Sequence, residues 1–501
     1  MFKSFLFSAL LIILITSCKK DDKPTVKIHD YTFEEPVSAG NTFYVDPVNG
    51  SMDGDGSEAH PWSTLQEVIE NGLIECYQHT ENYDADSPLE LLNEGAPVKG
   101  GDVLVLLTGY HGFINVNRFM FNDWLTIKAK EGNTPVFSQI KFVGAFRKIY
   151  LKDLTILKDS YEGADPYWDA VDINYNTGNC AYFGSSDFWG KGSEIVLNGL
   201  TLKTAENTSS WTAEDWVERA ASGITLRSVT NAEIVNCHLE NVRFGISVDY
   251  NSDNTNIVNN TVKGYSGDGA RLISDNVLFA YNTITDCYKV DDNHDDGIQS
   301  WSRGEDGSPG GGVVKNVTIR GNTIISTTDP THPLASSPQG IGCFDGMFDG
   351  WTVENNVIIV DHYHGISFYG FLNSSIVNNT VVDKTPGDDI SPWIMIHDHK
   401  NGTPSENCVV ANNIAFRSVS VSGNNVEQMN NYIIGRNTFD NIYNLFVDPD
   451  NLDFHLIKSD TTQLRIIDKG IKFKDKLSSK MDRDETYRDD VPDLGAYEWV
   501  K

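Results

Sequence analysis

Between Asp291 and Gln299 the chain reads Asp-Asp-Asn-His-Asp-Asp-Gly-Ile-Gln, four carboxylates and one imidazole in a single run. A second motif, Gly267-Asp268-Gly269-Ala270-Arg271, stands 28 residues earlier, counted from Asp268 to Asp296. Carboxylates that adjoin must share a proton, hold a cation or pair with a base. The first and last are acid–base chemistry. The second would use the carboxylate oxygens as donors to a cation. An Asp before Gly also caps turns, so a purely conformational reading of Asp268 stays open.

Two further runs carry imidazoles, Asp361-His362-Tyr363-His364-Gly365 and His397-Asp398-His399-Lys400. With His294 they hold five of the 12 histidines. Imidazoles transfer protons near neutral pH. His-x-His and His-Asp-His pairs also suit a transition metal, although no residues that would orient such ligands are legible. The candidate catalytic groups are therefore Asp296, His294, Asp268, Arg271, His364 and Lys289. Gln299, Trp301, Arg303, His362, His397, Lys400 and Asp345 are the candidates for contact with substrate.

These groups need a scaffold that repeats. From about Lys148 a β-branched phrase with central Asn recurs, and its last Asn falls at 260, 282, 322, 356, 379 and 413. The spacings of 22, 40, 34, 23 and 34 are one coil of a parallel β-helix, bare or with insertions. Stacked Asn side chains bond along such a column, a structural reason for Asn there. A second column is Gly at 223, 245, 269, 297, 340 and 365, each but Gly269 followed by Ile. If the residue after Gly points inward, the next points outward. The outward line is then Thr225, Ser247, Arg271, Gln299, Gly342, Ser367 and Met395, and the residues before Gly line up as Phe244, Asp268, Asp296, Gln339 and His364. Asp268 and Asp296 should stand one strand spacing apart, roughly 5 Å. Insertions at 301–312 and 326–338 flank this strand and would wall a groove across coils, which suits an extended polymer. The expected architecture is all-β: a single right-handed parallel β-helix, a solenoid, over 41–430, with an N-terminal helical cap and loop insertions. The helix-like run Ser63–Glu70 supplies the cap, and further coils with a closing strand follow over 431–501. The stretch 159–212, with Tyr167, Trp168, Trp189 and Trp211, has no clear place.

Composition narrows the ligand. The 501 residues hold 39 Lys+Arg against 70 Asp+Glu, 39 − 70 = −31, which excludes a basic nucleic-acid binder. The 24 Phe, 20 Tyr and 10 Trp exclude a disordered acidic chain. A polyanion would be repelled unless a cation or local base reversed the sign. Lys3, the apolar run Phe5–Ile15 and Ile15-Thr-Ser-Cys18 resemble a bacterial lipoprotein signal. The resemblance implies a signal peptide over 1–17, lipidation of Cys18, a charged tether over 18–40, and export to the outer membrane or surface of a Gram-negative cell. The membrane would be met only through that lipid, and the body is expected to be a monomer. The other six cysteines are scattered, with no CxxC pair, and read as small buried hydrophobes.

The runs Phe43–Gly50, His60–Gln66, Gly100–Leu106 and Leu125–Ala129 look like the cap and first coils of pectate-lyase-like right-handed β-helix proteins. The tail Val491–Glu498 is similar to the close of many bacterial β-helix proteins. The resemblance implies a carbohydrate-active protein and leaves three mechanisms open. As a lyase, calcium on Asp268, Asp295 and Asp296 with Arg271 would neutralise a uronate carboxylate, and Lys289, His294 or His364 would take the neighbouring proton. A C5-epimerase shares that step. As a hydrolase, paired carboxylates would act on a glycosidic bond. Asp268, Asp295-Asp296 and His364-Gly365 look somewhat like polygalacturonase elements, but the His comes a coil late and that family's Arg-x-Lys has no match. As a non-catalytic carbohydrate-binding lipoprotein, Trp301, Tyr363 and Tyr369 would stack on sugars. The lyase leads on fold resemblance.

Overall fold

The computed structural model describes residues 27–28, 31–81, 84, 86–160, 178–185, 190–383, 390–435, 442–473 and 480–500. Cys18, the signal segment, Tyr167, Trp168 and Trp189 lie outside them. The first unit ends at Glu35, and its described residues include an antiparallel pair, Lys27–Ile28 with Tyr31–Thr32. The second unit, Pro36–Lys501, is a parallel β-helix.

Each coil contributes up to three strands to three parallel sheets. In the first sheet Ser222–Arg227, Ile246–Asp249, Ala270–Leu272, Asp296–Trp301, Gln339–Asp345, His364–Tyr369 and Trp393–His397 stack in turn. The second stacks Thr255–Val258, Val277–Ala280, Thr318–Arg320, Thr352–Glu354 and Ser375–Val377. The third stacks Thr261–Tyr265, Thr283–Cys287, Thr323–Ile325, Val357–Ile359 and Thr380–Val382. The residue after each first-sheet Gly points into the core, as does Ile394 after Trp393: Ile224, Ile246, Ala270, Ile298, Ile341, Ile366 and Ile394 are at most 1% exposed. Each buried Ile contributes about 1.5–3 kcal/mol of transfer free energy. Gly recurs beside them because coils close up there. A Cβ on Gly297 would stand 2.7 Å from the Gly340 carbonyl oxygen and 2.5 Å from Ile324.

The Asn phrase is a corner with two parts. The first residue takes a left-handed backbone, as Asn259, Asn355, Asn378 and Asn412 do at φ 56–59°. The second is buried and bonded along the stack. Asn282 Nδ2 donates to Asn322 Oδ1 at 3.1 Å, Asn322 to Asn356 at 3.0 Å, and Asn356 to Asn379 at 2.9 Å. The column runs on to Asn431. Cys237 occupies the same position one coil earlier, its N–H donating to Asn260 Oδ1 at 2.8 Å. The six described cysteines are all buried thiols.

A helix, Leu65–Glu70, begins at Thr64, whose hydroxyl accepts the Glu67 N–H, and puts Leu65 and Val68 into the core. A second helix, Ala213–Arg219, lies just past the stretch the sequence left unplaced, and opens with a Thr212/Asp215 capping box. The tail departs from the coils expected over 431–501. The last parallel strand is Tyr432–Ile433. Described residues beyond it make an antiparallel pair, Phe446–Asp448 with Asp453–Leu456, and a helix, Asp460–Arg465. The closing segment is no strand: it crosses the third sheet, where the Ala496 N–H donates to Thr380 Oγ1 at 3.0 Å. The cause is apolar. Ile325, Val357, Ile359 and Val382 form a cluster outside the coil core, and Phe446, Phe454, Leu494 and Tyr497 cover it.

Candidate active site

The outward line of the first sheet holds the register expected for it, Thr225, Ser247, Arg271, Gln299, Gly342, Ser367 and Met395 on successive coils. Trp301 ends the strand Asp296–Trp301, so the inserted loop starts at Ser302.

Asp268 and Asp296 adjoin across coils: the Asp296 N–H donates to Asp268 Oδ1 at 3.2 Å. Both side chains are shut off from solvent, and each holds a more accessible group. Asp268 Oδ2 accepts Arg271 Nε at 2.7 Å. Asp296 Oδ2 accepts Gln299 Nε2 at 2.9 Å and faces His294 Nδ1 at 3.1 Å. The Arg271 side chain is 22% exposed and that of His294 62%, against 0% for either carboxylate. Gly342 on the next coil leaves room for this arrangement, since a Cβ there would stand 2.3 Å from Asp296 Oδ1. Asp295 points elsewhere, with Lys289 Nζ at 3.7 Å, Ser336 Oγ at 3.4 Å and Asn293 Nδ2 at 3.3 Å. Lys289 also donates to the Asn293 carbonyl.

Burial sets the protonation pattern. It pushes Asp296 up to about 7, with the neighbouring Asp268 charge adding and the His294 bond opposing. It pushes Asp295 up to about 6. Asp268 is also raised by burial, against the pull of Arg271. The hydrogen bond to Asp296 raises His294. His364, two coils on from Asp296, goes the other way: burial, with His362 and His294 nearby, brings it down to about 4. One imidazole therefore favours its charged form and the other its neutral form, the arrangement that separates an acid from a base.

His364 Nδ1 lies 2.8 Å from Ser367 Oγ, which also accepts Trp393 Nε1 at 3.1 Å. Its ring is edge-on to Phe344 at 4.8 Å. Burial lowers His362, whose ring stacks on Tyr363 at 4.2 Å. Along the exit edge Trp301 Nε1 donates to Tyr250 Oη at 3.0 Å, and the Arg303 guanidinium lies 4.7 Å from the Tyr250 ring centre. Farther on, Lys400 Nζ bonds Asp345 Oδ1 at 2.7 Å, and His397 stands 6.1 Å from Tyr369, centre to centre. The entry edge is walled by the 326–338 insertion, whose Leu334 carbonyl accepts the Lys289 N–H at 2.8 Å. Trp216 of the second helix backs that wall through Tyr288, 5.0 Å away.

The sequence thus brought Asp268, Arg271, Lys289, His294, Asp295, Asp296 and Gln299 to one neighbourhood, with His362 and His364 two coils on. It did not bring together a calcium site. Asp268, Asp295 and Asp296 face Arg271, Lys289 and His294 respectively, and among the described residues no three such side chains converge on a metal position. Calcium needs oxygens gathered around one point, whereas these three carboxylates turn to three different partners, and Asp296 Oδ1 is buried without a hydrogen-bond partner among the described residues. Tyr250 and Phe344 were not legible as site residues. For Phe344 a signal existed, an aromatic four residues after the Gly, shared with Trp301 and Tyr369; Tyr250, five residues after Gly245, falls outside it.

No protein-family model matches the sequence, and no curated protein matches it significantly. Among solved structures the chain is similar to the pectate lyase Pel9A, at 14% identity over 92% of this chain and 97% of that one, TM-score 0.40. It is similar to XylC in complex with xylose at 10% identity, 92% and 98% coverage, TM-score 0.45. A third likeness is to the A-module of a mannuronan C-5 epimerase of Azotobacter vinelandii, 13% identity, 66% and 82% coverage, TM-score 0.41. These likenesses concern the backbone path and assign no residue a role.

Proposed function

We propose that the chain cleaves a uronate-containing polysaccharide by β-elimination in the groove of the first sheet, without calcium. One observation carries the reading: two carboxylates closed to solvent, Asp268 and Asp296, each hold an accessible side chain, Arg271 and His294. A hydrolase of the paired-carboxylate kind needs its carboxyl groups against the substrate. Here Asp268 and Asp296 are behind the reacting surface and position the groups in front of it.

Arg271, tied to Asp268 through Nε, keeps its terminal nitrogens for a uronate carboxylate. Neutralising that carboxylate acidifies the C5–H beside it. Neutral His364 takes the C5 proton, the electron pair forms the C4=C5 bond, the C4–O bond breaks, and the leaving oxygen receives a proton from the His294 imidazolium. Exchange with water restores both imidazoles. Asp296 holds His294 in orientation and favours its charged form. The test is Arg271→Gln on a panel of uronate polymers: kcat/KM should fall about 100-fold or more. Undiminished cleavage by this variant removes the proposal.

We also read the chain as exported and lipidated at Cys18. Radiolabelled fatty acid should enter the wild type and not Cys18→Ser, and equal labelling of both would contradict this.

A further inference from the structure

Arg271 is held on three sides. Its Nε bonds Asp268, its guanidinium carbon stands 3.4 Å from the Phe244 ring centre, and the Trp301 ring lies 5.5 Å away. Trp301 in turn bonds Tyr250 at 3.0 Å, and the second guanidinium, Arg303, rests on that ring. The two guanidinium groups therefore border one hydrogen-bonded ring pair, Trp301 and Tyr250. Other cations of the groove are spent on carboxylates, as Lys400 is on Asp345 and Arg243 on Asp291 at 2.7 Å each. Arg303 is exposed and donates from Nε to the Gly307 carbonyl at 3.3 Å, and among the described residues no carboxylate pairs with it. A guanidinium held against an aromatic ring loses little freedom on binding, and its terminal nitrogens match a carboxylate in a fork. In a chain of net charge −31, two arginines bordering one ring pair are a local reversal of sign.

We propose that Arg303 binds a second carboxylate of the same substrate, so that the polymer this groove accepts carries acidic units in succession. The inference rests on the uronate reading above. Arg271 serves the unit that reacts, and Arg303 serves a neighbouring unit across the Trp301–Tyr250 pair. A polymer in which acidic and neutral sugars alternate offers Arg303 a hydroxyl and forfeits the charge-assisted bond.

The test compares the wild type with Arg303→Gln by calorimetry, using hexagalacturonate, hexamannuronate and a hyaluronan hexasaccharide, whose uronates alternate with neutral units. Arg303→Gln should weaken at least one contiguous hexauronide by about tenfold, leave the alternating one within about twofold, and reduce the salt dependence of binding. An unshifted Tm shows that the fold is intact. The proposal is overturned if wild type and variant bind each contiguous hexauronide equally, if the alternating sugar loses as much, or if no contiguous hexauronide binds. Its failure is distinct from failure of the reaction. Unsaturated product from Arg303→Gln at the wild-type KM keeps elimination and discards the second carboxylate. A hexauronide that loses affinity in Arg303→Gln but is never cleaved keeps the second carboxylate and discards elimination.

Discussion

His294 Nδ1 lies 3.1 Å from Asp296 Oδ2, so an imidazole 62% exposed rests on a carboxylate that solvent does not reach. A buried carboxylate that orients an accessible imidazole and stabilises its charged form is a device for proton transfer. At Asp268 and Asp296 the charges turned toward solvent belong to Arg271 and His294, and the two carboxylates behind them are closed off.

Asp296→Asn keeps the shape of the contact and removes its charge. His294 then loses the bond that raises it, and the imidazolium is lost at lower pH. Elimination should fall about 100-fold, and the alkaline limb of its pH profile should move to lower pH. A variant with the wild-type profile would show that the pair plays no part in proton transfer.

The same substitution has a stability signature. Asp296 is held up to about 7 in the fold, against about 4 unfolded, so between those values the folded state keeps a proton the unfolded state has lost. Its contribution is therefore fully present below about pH 4 and lost as pH rises through about 7. Asn does not titrate, so the Tm of Asp296→Asn relative to wild type should rise from pH 5 to pH 8. A difference in Tm that is flat over this range would contradict the burial argument.

Much of this was legible in the sequence. Gly and Asn recur at the coil spacing, and the two-residue alternation after each Gly placed Arg271 and Gln299 side by side on the outer face. Whether a carboxylate meets a metal or a cationic side chain is decided by side-chain direction at the coil corner, which spacing does not encode. Asp295 and Asp296 are neighbours in sequence, yet one turns to Lys289 and the other to His294. The tail was hidden for another reason. In Val357–Ile359 all three residues are apolar, which reads as a strand buried on both faces, but the sequence does not say what covers the outer one.

Chelation separates this account from a calcium-dependent one. Because Asp268, Asp295 and Asp296 face three different partners, activity should be unchanged by EDTA and by added calcium. Loss in EDTA with recovery in calcium would restore the metal reading.

The Asn column predicts a structural cost without a catalytic one. Asn322→Ala removes the acceptor of the Asn282 N–H, at 2.8 Å, leaving that buried donor unpaired, and reduces Asn282 Nδ2 to its bond with the Ile257 carbonyl. Denaturant unfolding should show a loss of about 2–5 kcal/mol, with kcat/KM near wild type for the protein that remains folded. A variant as stable as the wild type would mean the column is not a source of stability.

Elimination leaves an unsaturated end at every cut, so the deciding measurement is the ratio of products from the wild-type protein on polyuronates in EDTA. Each new reducing end should be matched by one C4=C5 unsaturated end, read by its ultraviolet absorbance. Reducing ends without that absorbance would contradict the account and return the paired-carboxylate hydrolase.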